Sequence, residues 1–169
     1  MVRPATPADH DAIRRIVDAA FGGPAESAII DGVRAEDAVL ADLVAEQGGE
    51  IVGHVLFSRM SVAPARFIAG LGPVAVRPDQ QRRGIGDALC RAGIEVVRAM
   101  GAEAVVVLGH VEYYPRFGFS SDVAKNIASP YAGSPAFMAL ELVPGALAAP
   151  LKADYPAAFD RTGPDQPRR

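Results

Sequence analysis

Residues 77–86 read Arg77-Pro-Asp-Gln-Gln-Arg-Arg-Gly-Ile-Gly86, and the segments on either side give this stretch its meaning. The apolar run Leu71-Gly-Pro-Val-Ala-Val76 precedes it, and an amphipathic run from Ile85 to Met100 follows. The short apolar run predicts a strand, and the second run predicts a helix because its apolar residues recur at three- and four-residue steps. Residues 77–84 are then a tight loop between the two. The first N–H groups of a helix have no partners within it and carry positive partial charge. With two glycines and two adjacent arginines at the junction, the sequence predicts a site for phosphate oxygens.

The spacing Gln81-x-x-Gly84-x-Gly86 narrows the kind of phosphate site. A dinucleotide fingerprint requires a third glycine at position 89, where this chain has Leu89. A Walker loop requires Gly-Lys-Ser/Thr, which the sequence lacks. The pattern instead resembles the pyrophosphate arm of the GNAT (GCN5-related) N-acetyltransferases, which hold acetyl-coenzyme A (acetyl-CoA).

A second stretch carries the same resemblance. Residues Gly101 to Gly109 predict the end of a helix followed by a short buried strand, and Tyr114-Pro-Arg-Phe-Gly-Phe119 comes soon after. Tyr-x-x-x-Gly-Phe at the end of a short helix is similar to the last conserved part of the superfamily. The chain thus resembles small stand-alone bacterial members of it, over residues 1–143 in element order and over 71–119 in motif identity.

The resemblance implies an α/β fold with a central mixed sheet flanked by helices. In this family the fourth and fifth strands splay apart, and they correspond here to Leu71–Val76 and residues 104–108. The proline at position 73 agrees with this, because a proline inside a strand indicates an edge or a bulge. One domain is expected over residues 1–160, with a frayed tail at 161–169.

The resemblance also implies site residues. Tyr114 corresponds to the family's general acid, which returns a proton to the leaving CoA thiolate. Asp87 is unusual in the first turn of a helix that binds phosphate, and we expect Arg91 to neutralise it while its side chain points away. The cofactor-binding set comprises strand backbone, loop residues and one aromatic: Val74, Ala75, Val76, Gln81, Arg82, Arg83, Gly84, Ile85, Gly86, Asp87 and Phe117.

Three functions remain open at this stage. The first is transfer of acetyl from acetyl-CoA to a primary amine by direct attack in a ternary complex. The second is a non-catalytic acyl-CoA sensor on the same fold. The third is a transferase with a longer acyl donor. The general base is also open, since His54, His110, Glu112, Glu26 and a water chain are all candidates.

Composition limits the partners. The chain has 169 residues, half of them hydrophobic, and a net charge of −3, which suits a globular domain and argues against nucleic-acid binding. A single cysteine excludes an internal disulfide and a cysteine-rich metal site, so no metal is expected. No apolar run reaches the roughly 18 residues of a membrane span, and the N-terminus lacks a signal-peptide core. We therefore expect a soluble cytoplasmic protein, monomeric or homodimeric, that acts on a small-molecule or protein amine.

The remaining segments predict elements by pattern. A helix should begin at Thr6-Pro7, and a second short helix should span residues 25–35. Two strands, 38–47 and 50–63, flank a Gly-Gly turn, with a loop at 65–69. A late strand is expected at 134–143.

Overall fold

The computed structural model describes residues 1–162, and residues 163–169 lie outside the described part. Of the tail predicted at 161–169, only its first two residues are therefore described, at the end of a 3₁₀ turn over Ala157–Thr162. The helices are α1 (His10–Phe21), α2 (Ala25–Ala35) and α3 (Ile85–Ala99). The strands are β1 (Val2–Pro4), β2 (Val39–Gln47), β3 (Glu50–Arg59), β4 (Ser61–Ala63), β5 (Ile68–Val76), β6 (Ala104–Leu108), β7 (Ile127–Ala128), β8 (Phe137–Glu141) and β9 (Leu151–Asp154).

Six strands form the central sheet, in the order β1-β2-β3-β5-β6-β8. Its neighbouring strands run antiparallel except β5 and β6, which run parallel. This mixed sheet with flanking helices confirms the predicted fold class. Residues 1–160 as a single domain stay a prediction.

Helices cover the sheet on both faces. The apolar side of α3 packs against β2, β3 and β5, and its Gly93 lies so close to Phe57 that an added Cβ would be 2.1 Å from the ring. On the other face, α1 and α2 pack over β2, β3 and β5. Within residues 1–162, no helix is both long and apolar enough to cross a bilayer.

The predicted splay lies between β5 and β6, the fourth and fifth strands along the sheet. Their pairing runs from Ile68 opposite Ala104 to Leu71 opposite Val107, and β5 then continues to Val76 without β6 beside it. On its other side, β5 keeps pairing with β3 through a register shift between Val55 and Phe57. The bulge accommodates Gly72 and Pro73 in β5, as the proline predicts. A fork therefore opens beyond Leu71.

Three predictions along the chain need correction. The single strand expected at 50–63 is two strands, β3 and β4, because the buried Met60 interrupts the ladder and β4 joins a second sheet, β4-β9-β7. The loop expected at 65–69 is too long, since β5 already begins at Ile68. Strands β7 and β9 were not predicted, because two and four residues are too few to show a period.

Candidate active site

A cleft of about 810 Å³ opens at the fork. Four parts of the chain line it: α1, the end of β5, the loop into α3, and the segment after β6. The lining residues are Ala20, Val74, Ala75, Val76, Gln81, Arg82, Gly84, Gly86, Asp87, His110, Glu112, Tyr113, Tyr114 and Arg116. The fork thus brings the two sequence motifs to one cavity.

The loop into α3 is shaped for exposed backbone N–H groups. Gly84 is the N-cap of α3 in the left-handed conformation, with φ 83°, which glycine adopts without steric cost. The first helical hydrogen bond runs from the Ala88 N–H to the Gly84 carbonyl, so the N–H groups just before Ala88 precede the helical ladder. The Gln81 side-chain amide donates to the Val76 carbonyl at 3.1 Å and ties the loop to the end of β5.

The arginines of this loop differ in their surroundings. Arg82 lines the cleft, and its backbone is in the left-handed region with φ 64°, which is uncommon for a non-glycine residue. Arg83 is directed to Gln80, with 3.4 Å between the guanidinium and the amide oxygen, and is not among the lining residues. Arg77 is held by Asp79 and Glu50. Arg82 is therefore the loop arginine that faces the cleft.

Tyr114 reaches the cleft from the opposite side, at the start of a 3₁₀ turn over Tyr114–Phe117. The side chain is 3% exposed, and its ring packs edge-on against Tyr113 and Phe119. Burial raises the pKa of the Tyr114 phenol above its ordinary value. The ring lies so close to Gly109 that an added Cβ would be 2.3 Å from Cε2. The Tyr114 ring can therefore occupy this position only because residue 109 has no side chain.

Asp87 has partners that the sequence did not indicate. The Tyr113 hydroxyl donates to the Asp87 carboxylate at 2.7 Å, and the Arg116 guanidinium is 3.3 Å from both carboxylate oxygens. Arg91, the expected partner, instead places its guanidinium 5.0 Å from the centre of the Phe117 ring. The expectation that Arg91 neutralises Asp87 is therefore wrong.

Of the other predicted site residues, Ile85 and Phe117 do not line the cleft in the described structure. The Ile85 side chain is buried in the core, so only its backbone could serve a ligand. Phe117 is half-buried and packs against Tyr113 and Arg91. Their assignment to cofactor binding stays a prediction, as it does for the residues that line the cleft.

The base candidates are divided between two places. His110 and Glu112 line the cleft on the segment after β6, whereas His54 and Glu26 are buried and are not among its lining residues. Among the described residues, no group of three His, Cys, Asp or Glu side chains is arranged to hold a metal ion.

His54 belongs to a buried polar network beneath α2. Its Nε2 is 2.7 Å from the Asp42 carboxylate, which also accepts a hydrogen bond from Arg34 Nε at 2.9 Å. Burial lowers the pKa of His54 and outweighs the opposing effect of the Asp42 carboxylate. Burial raises the pKa of Asp42, but the hydrogen bonds from His54 and Arg34 outweigh it, so the net direction is downward. The network joins α2 to β2 and β3.

Comparison with known proteins identifies the family. The sequence pattern of the Acetyltransferase (GNAT) family matches residues 11–119. The uncharacterized N-acetyltransferase YjhQ of Escherichia coli K12 is 37% identical over 131 residues, which is 73% of this chain and 71% of YjhQ. This chain belongs to the GNAT acetyltransferase family.

Solved GNAT structures agree with the fold along nearly the whole chain. A family member from Brucella melitensis, crystallised with acetyl-CoA, is 36% identical with a TM-score of 0.80, covering 95% of this chain and 97% of its own. YhbS of Escherichia coli, crystallised with CoA, is 27% identical with a TM-score of 0.88, covering 96% of this chain and 93% of its own. The splayed sheet and the loop into α3 are therefore features of a GNAT fold.

The sequence indicated Tyr113 only as a core or pocket-wall residue and did not single out Arg116, yet both line the cleft. Arg116 lies inside the stretch Tyr114-Pro-Arg-Phe-Gly-Phe119 that carries the second resemblance, and Tyr113 directly precedes it. A signal was present, since an unpaired acid at position 87 needs a cation, and Arg116 is the arginine of the second motif. The helical spacing rule pointed to Arg91 instead, because it considers only neighbours within α3.

Proposed function

We propose that this protein transfers the acetyl group of acetyl-CoA to a primary amine in a ternary complex, with Tyr114 as general acid. Membership of the GNAT family supports the reaction class, and two similar structures contain acetyl-CoA or CoA. The observation that carries the proposal is the meeting of the fork, the loop into α3 and Tyr114 at one cleft.

The residues of the cleft suit the donor. Beyond Leu71, β5 has no pairing with β6, so the backbone groups of Val74 to Val76 that face away from β3 are available to the pantetheine arm, apart from the Val76 carbonyl that Gln81 holds. The N–H groups at the start of α3 suit the diphosphate, because they are unpaired donors at the positive end of the helix dipole. Arg82 adds a cation at the same end of the cleft. Strand and loop would thus hold the two halves of the donor.

Acetyl-CoA supplies an activated acyl group: a bond forms between the amine nitrogen and the acetyl carbon as the carbon–sulfur bond breaks. A backbone N–H of β5 stabilises the negative charge that develops on the acetyl oxygen. The amine must first lose a proton, since alkylammonium groups have a pKa of about 10. His110, Glu112 or a water chain takes that proton at the cleft.

Tyr114 gives a proton to the sulfur of the departing CoA, and the second proton, which the nitrogen loses as the amide forms, returns to the phenol and restores it. Burial raises the pKa of the phenol, so the proton is present throughout the neutral range. A thiol has a pKa of only about 8.5, so transfer from the phenol depends on close placement rather than on acidity. Packing against Gly109 and Phe119 restricts the ring in a way that supports this role.

The acceptor would enter on the side of α1, which contributes Ala20 to the cleft. A small-molecule amine, a protein N-terminus and a lysine all remain compatible with that opening. An acyl-CoA sensor without turnover would use the same donor groups and leave Tyr114 without a chemical role.

Calorimetric titration of acetyl-CoA and CoA tests the donor site. We expect micromolar binding by the wild type and a clear loss of affinity in the Arg82→Ala/Arg83→Ala variant. Each single variant separates the two arginines, and Arg82→Ala should account for most of the loss, because Arg82 lines the cleft. Absence of binding by the wild type would overturn the proposed function.

Tyr114→Phe tests the chemistry. In a screen of primary amines with release of the CoA thiol as the signal, we expect turnover to fall by about 100-fold while CoA affinity is retained. If Tyr114→Phe turned over as fast as the wild type, another group would have to donate the proton to the CoA thiolate. CoA binding without turnover for any amine would favour the sensor.

A further inference from the structure

Asp87 poses an electrostatic problem that follows from the proposed function. An acid in the first turn of a helix is favourable when the site is empty, because it faces the positive end of the helix dipole. The same carboxylate repels a diphosphate that binds at that helix end. Asp87 also lines the cleft, and its side chain is 34% exposed. If a diphosphate binds here, the negative charge of Asp87 must be compensated by a cation and its carboxylate must be held away from the diphosphate.

Two side chains hold the carboxylate, one within the second motif and one directly before it. The Tyr113 hydroxyl donates to Asp87 Oδ1 at 2.7 Å, and Arg116 Nη1 is 3.3 Å from Oδ1 and 3.3 Å from Oδ2. These two residues also fix each other, since Arg116 Nε donates to the Tyr113 carbonyl at 3.0 Å. The Arg116 guanidinium stacks 4.2 Å from the centre of the Tyr113 ring. Asp87, Tyr113 and Arg116 thus form a closed unit, which we call the Asp87 clamp.

Gly86 gives the clamp room. A Cβ at this position would lie 3.0 Å from the Tyr113 hydroxyl oxygen, so the hydroxyl would have to shift by a few tenths of an ångström. The second glycine of the motif therefore leaves room for the hydroxyl to reach Asp87. This contact is internal to the protein and does not involve a ligand.

We propose that Tyr113 and Arg116 are positioning residues for donor binding, which neutralise Asp87 and hold its carboxylate on the Tyr113 side of the cleft. In this role Arg116 acts on the diphosphate through Asp87 rather than by its own contact. Removing Arg116 exposes an uncompensated negative charge at the start of α3, whereas removing both charges restores the balance.

The test is a double-mutant cycle on CoA affinity by calorimetry at low ionic strength. We expect Arg116→Gln to weaken binding by about tenfold, a typical coupling for charged neighbours. Asp87→Asn should bind CoA at least as tightly as the wild type. The double variant Arg116→Gln/Asp87→Asn should return to within about threefold of the wild type. The loss in Arg116→Gln should also shrink as salt is added, because ions screen exposed charges.

Two further variants make the result specific. Tyr113→Phe removes one hydroxyl and should weaken binding in the same direction by a few fold. Arg98→Gln is the matched control: Arg98 pairs with Glu95 at 3.3 Å near the other end of α3, and its loss should leave affinity unchanged. Thermal unfolding of each variant confirms that the compared proteins are folded.

The outcomes separate this inference from the function on which it rests. Failure of the wild type to bind CoA would overturn both. Wild-type binding with no change in Arg116→Gln would overturn the clamp alone. A double variant as weak as Arg116→Gln would show that Arg116 contacts the ligand directly, and weaker binding by Asp87→Asn would show that Asp87 itself contributes to binding. Either result would also overturn the positioning role.

Discussion

Two of the ionic clusters among the described residues differ in character, one at the fork and one beneath α2. The Asp87 clamp at the fork is half-open to solvent and lines the cleft. The network of Arg34, Asp42 and His54 is largely buried, and His54 is fully enclosed. Exposed ion pairs contribute little to folding, whereas breaking a buried pair leaves an uncompensated charge in the protein interior. We therefore expect the first cluster to matter for ligand binding and the second for stability.

Removing Asp42 should produce the largest effect among the tests of this difference between the two clusters. Asp42→Ala leaves His54 and Arg34 without their shared acceptor, so we expect unfolding free energy to fall by about 3 kcal/mol. The loss should lie at the low end of the range for buried pairs, because Arg34 keeps a 3.6 Å contact with Asp31. Urea denaturation measures the change, and CoA affinity of the folded variant should stay within about twofold of the wild type.

Asp31 provides the control for that measurement. It lies on α2 and pairs with Arg14 and Arg34, but its side chain is 45% exposed. Asp31→Ala should therefore cost no more than about 1 kcal/mol. Equal losses from Asp31 and Asp42 would contradict the distinction between the two environments.

Gly109→Ala should produce the next largest effect, at the fork. The added Cβ would lie 2.3 Å from Tyr114 Cε2, so the ring must move from its position at the cleft. If Tyr114 is the general acid, turnover should drop by about 100-fold. Steady-state assays with an accepted amine measure the change, and CoA affinity should change much less.

Gly93→Ala is the control for Gly109→Ala, because it introduces a similar steric clash away from the cleft. It distinguishes the effect of moving Tyr114 from a general loss of stability. Gly93→Ala places a Cβ 2.1 Å from the Phe57 ring in the core between α3 and β3. This overpacking should cost about 1–3 kcal/mol of stability. Turnover per folded molecule should be unchanged, and an equal loss of turnover in both variants would argue against a special role for the Tyr114 position.

The buried network should also give stability a pH dependence. Burial lowers the pKa of His54, so the folded protein holds this imidazole neutral, while the unfolded chain takes up a proton below about pH 6.5. The contribution of His54 to stability is therefore complete above that pH and is lost as pH falls toward the lowered pKa. Urea denaturation at several pH values measures the slope, which should be smaller in His54→Gln. Parallel slopes for the two proteins would show that His54 does not titrate differently on folding.

The two clusters also show why sequence predicted one region better than the other. The loop into α3 and the fork follow from short contiguous motifs, so the sequence could predict that Gly84 and the end of β5 lie together, although it did not distinguish Arg82 from Arg83. The buried network joins residues 34, 42 and 54 on three different elements, and no local pattern indicates that they meet.

The Asp87 clamp lies between these extremes. Both of its motifs were recognised, but the contact between them spans 29 residues from Asp87 to Arg116. Helical periodicity offered Arg91 as a partner, because it describes only neighbours on one helix. A contact between two motifs depends on how the fork brings β6 and α3 together, and this is a tertiary feature.

Arg77→Ala should have the smallest effect, and it sharpens the distinction among the arginines of the fork. Arg77 opens the motif and is near Arg82 in sequence, yet its guanidinium is already engaged by Asp79 at 2.6 Å and Glu50 at 3.1 Å. Because these exposed pairs contribute little, we expect stability to change by less than about 0.5 kcal/mol. CoA affinity should match the wild type, in contrast to Arg82→Ala. A loss as large as that of Arg82→Ala would mean that general positive charge, rather than position at the cleft, attracts the donor.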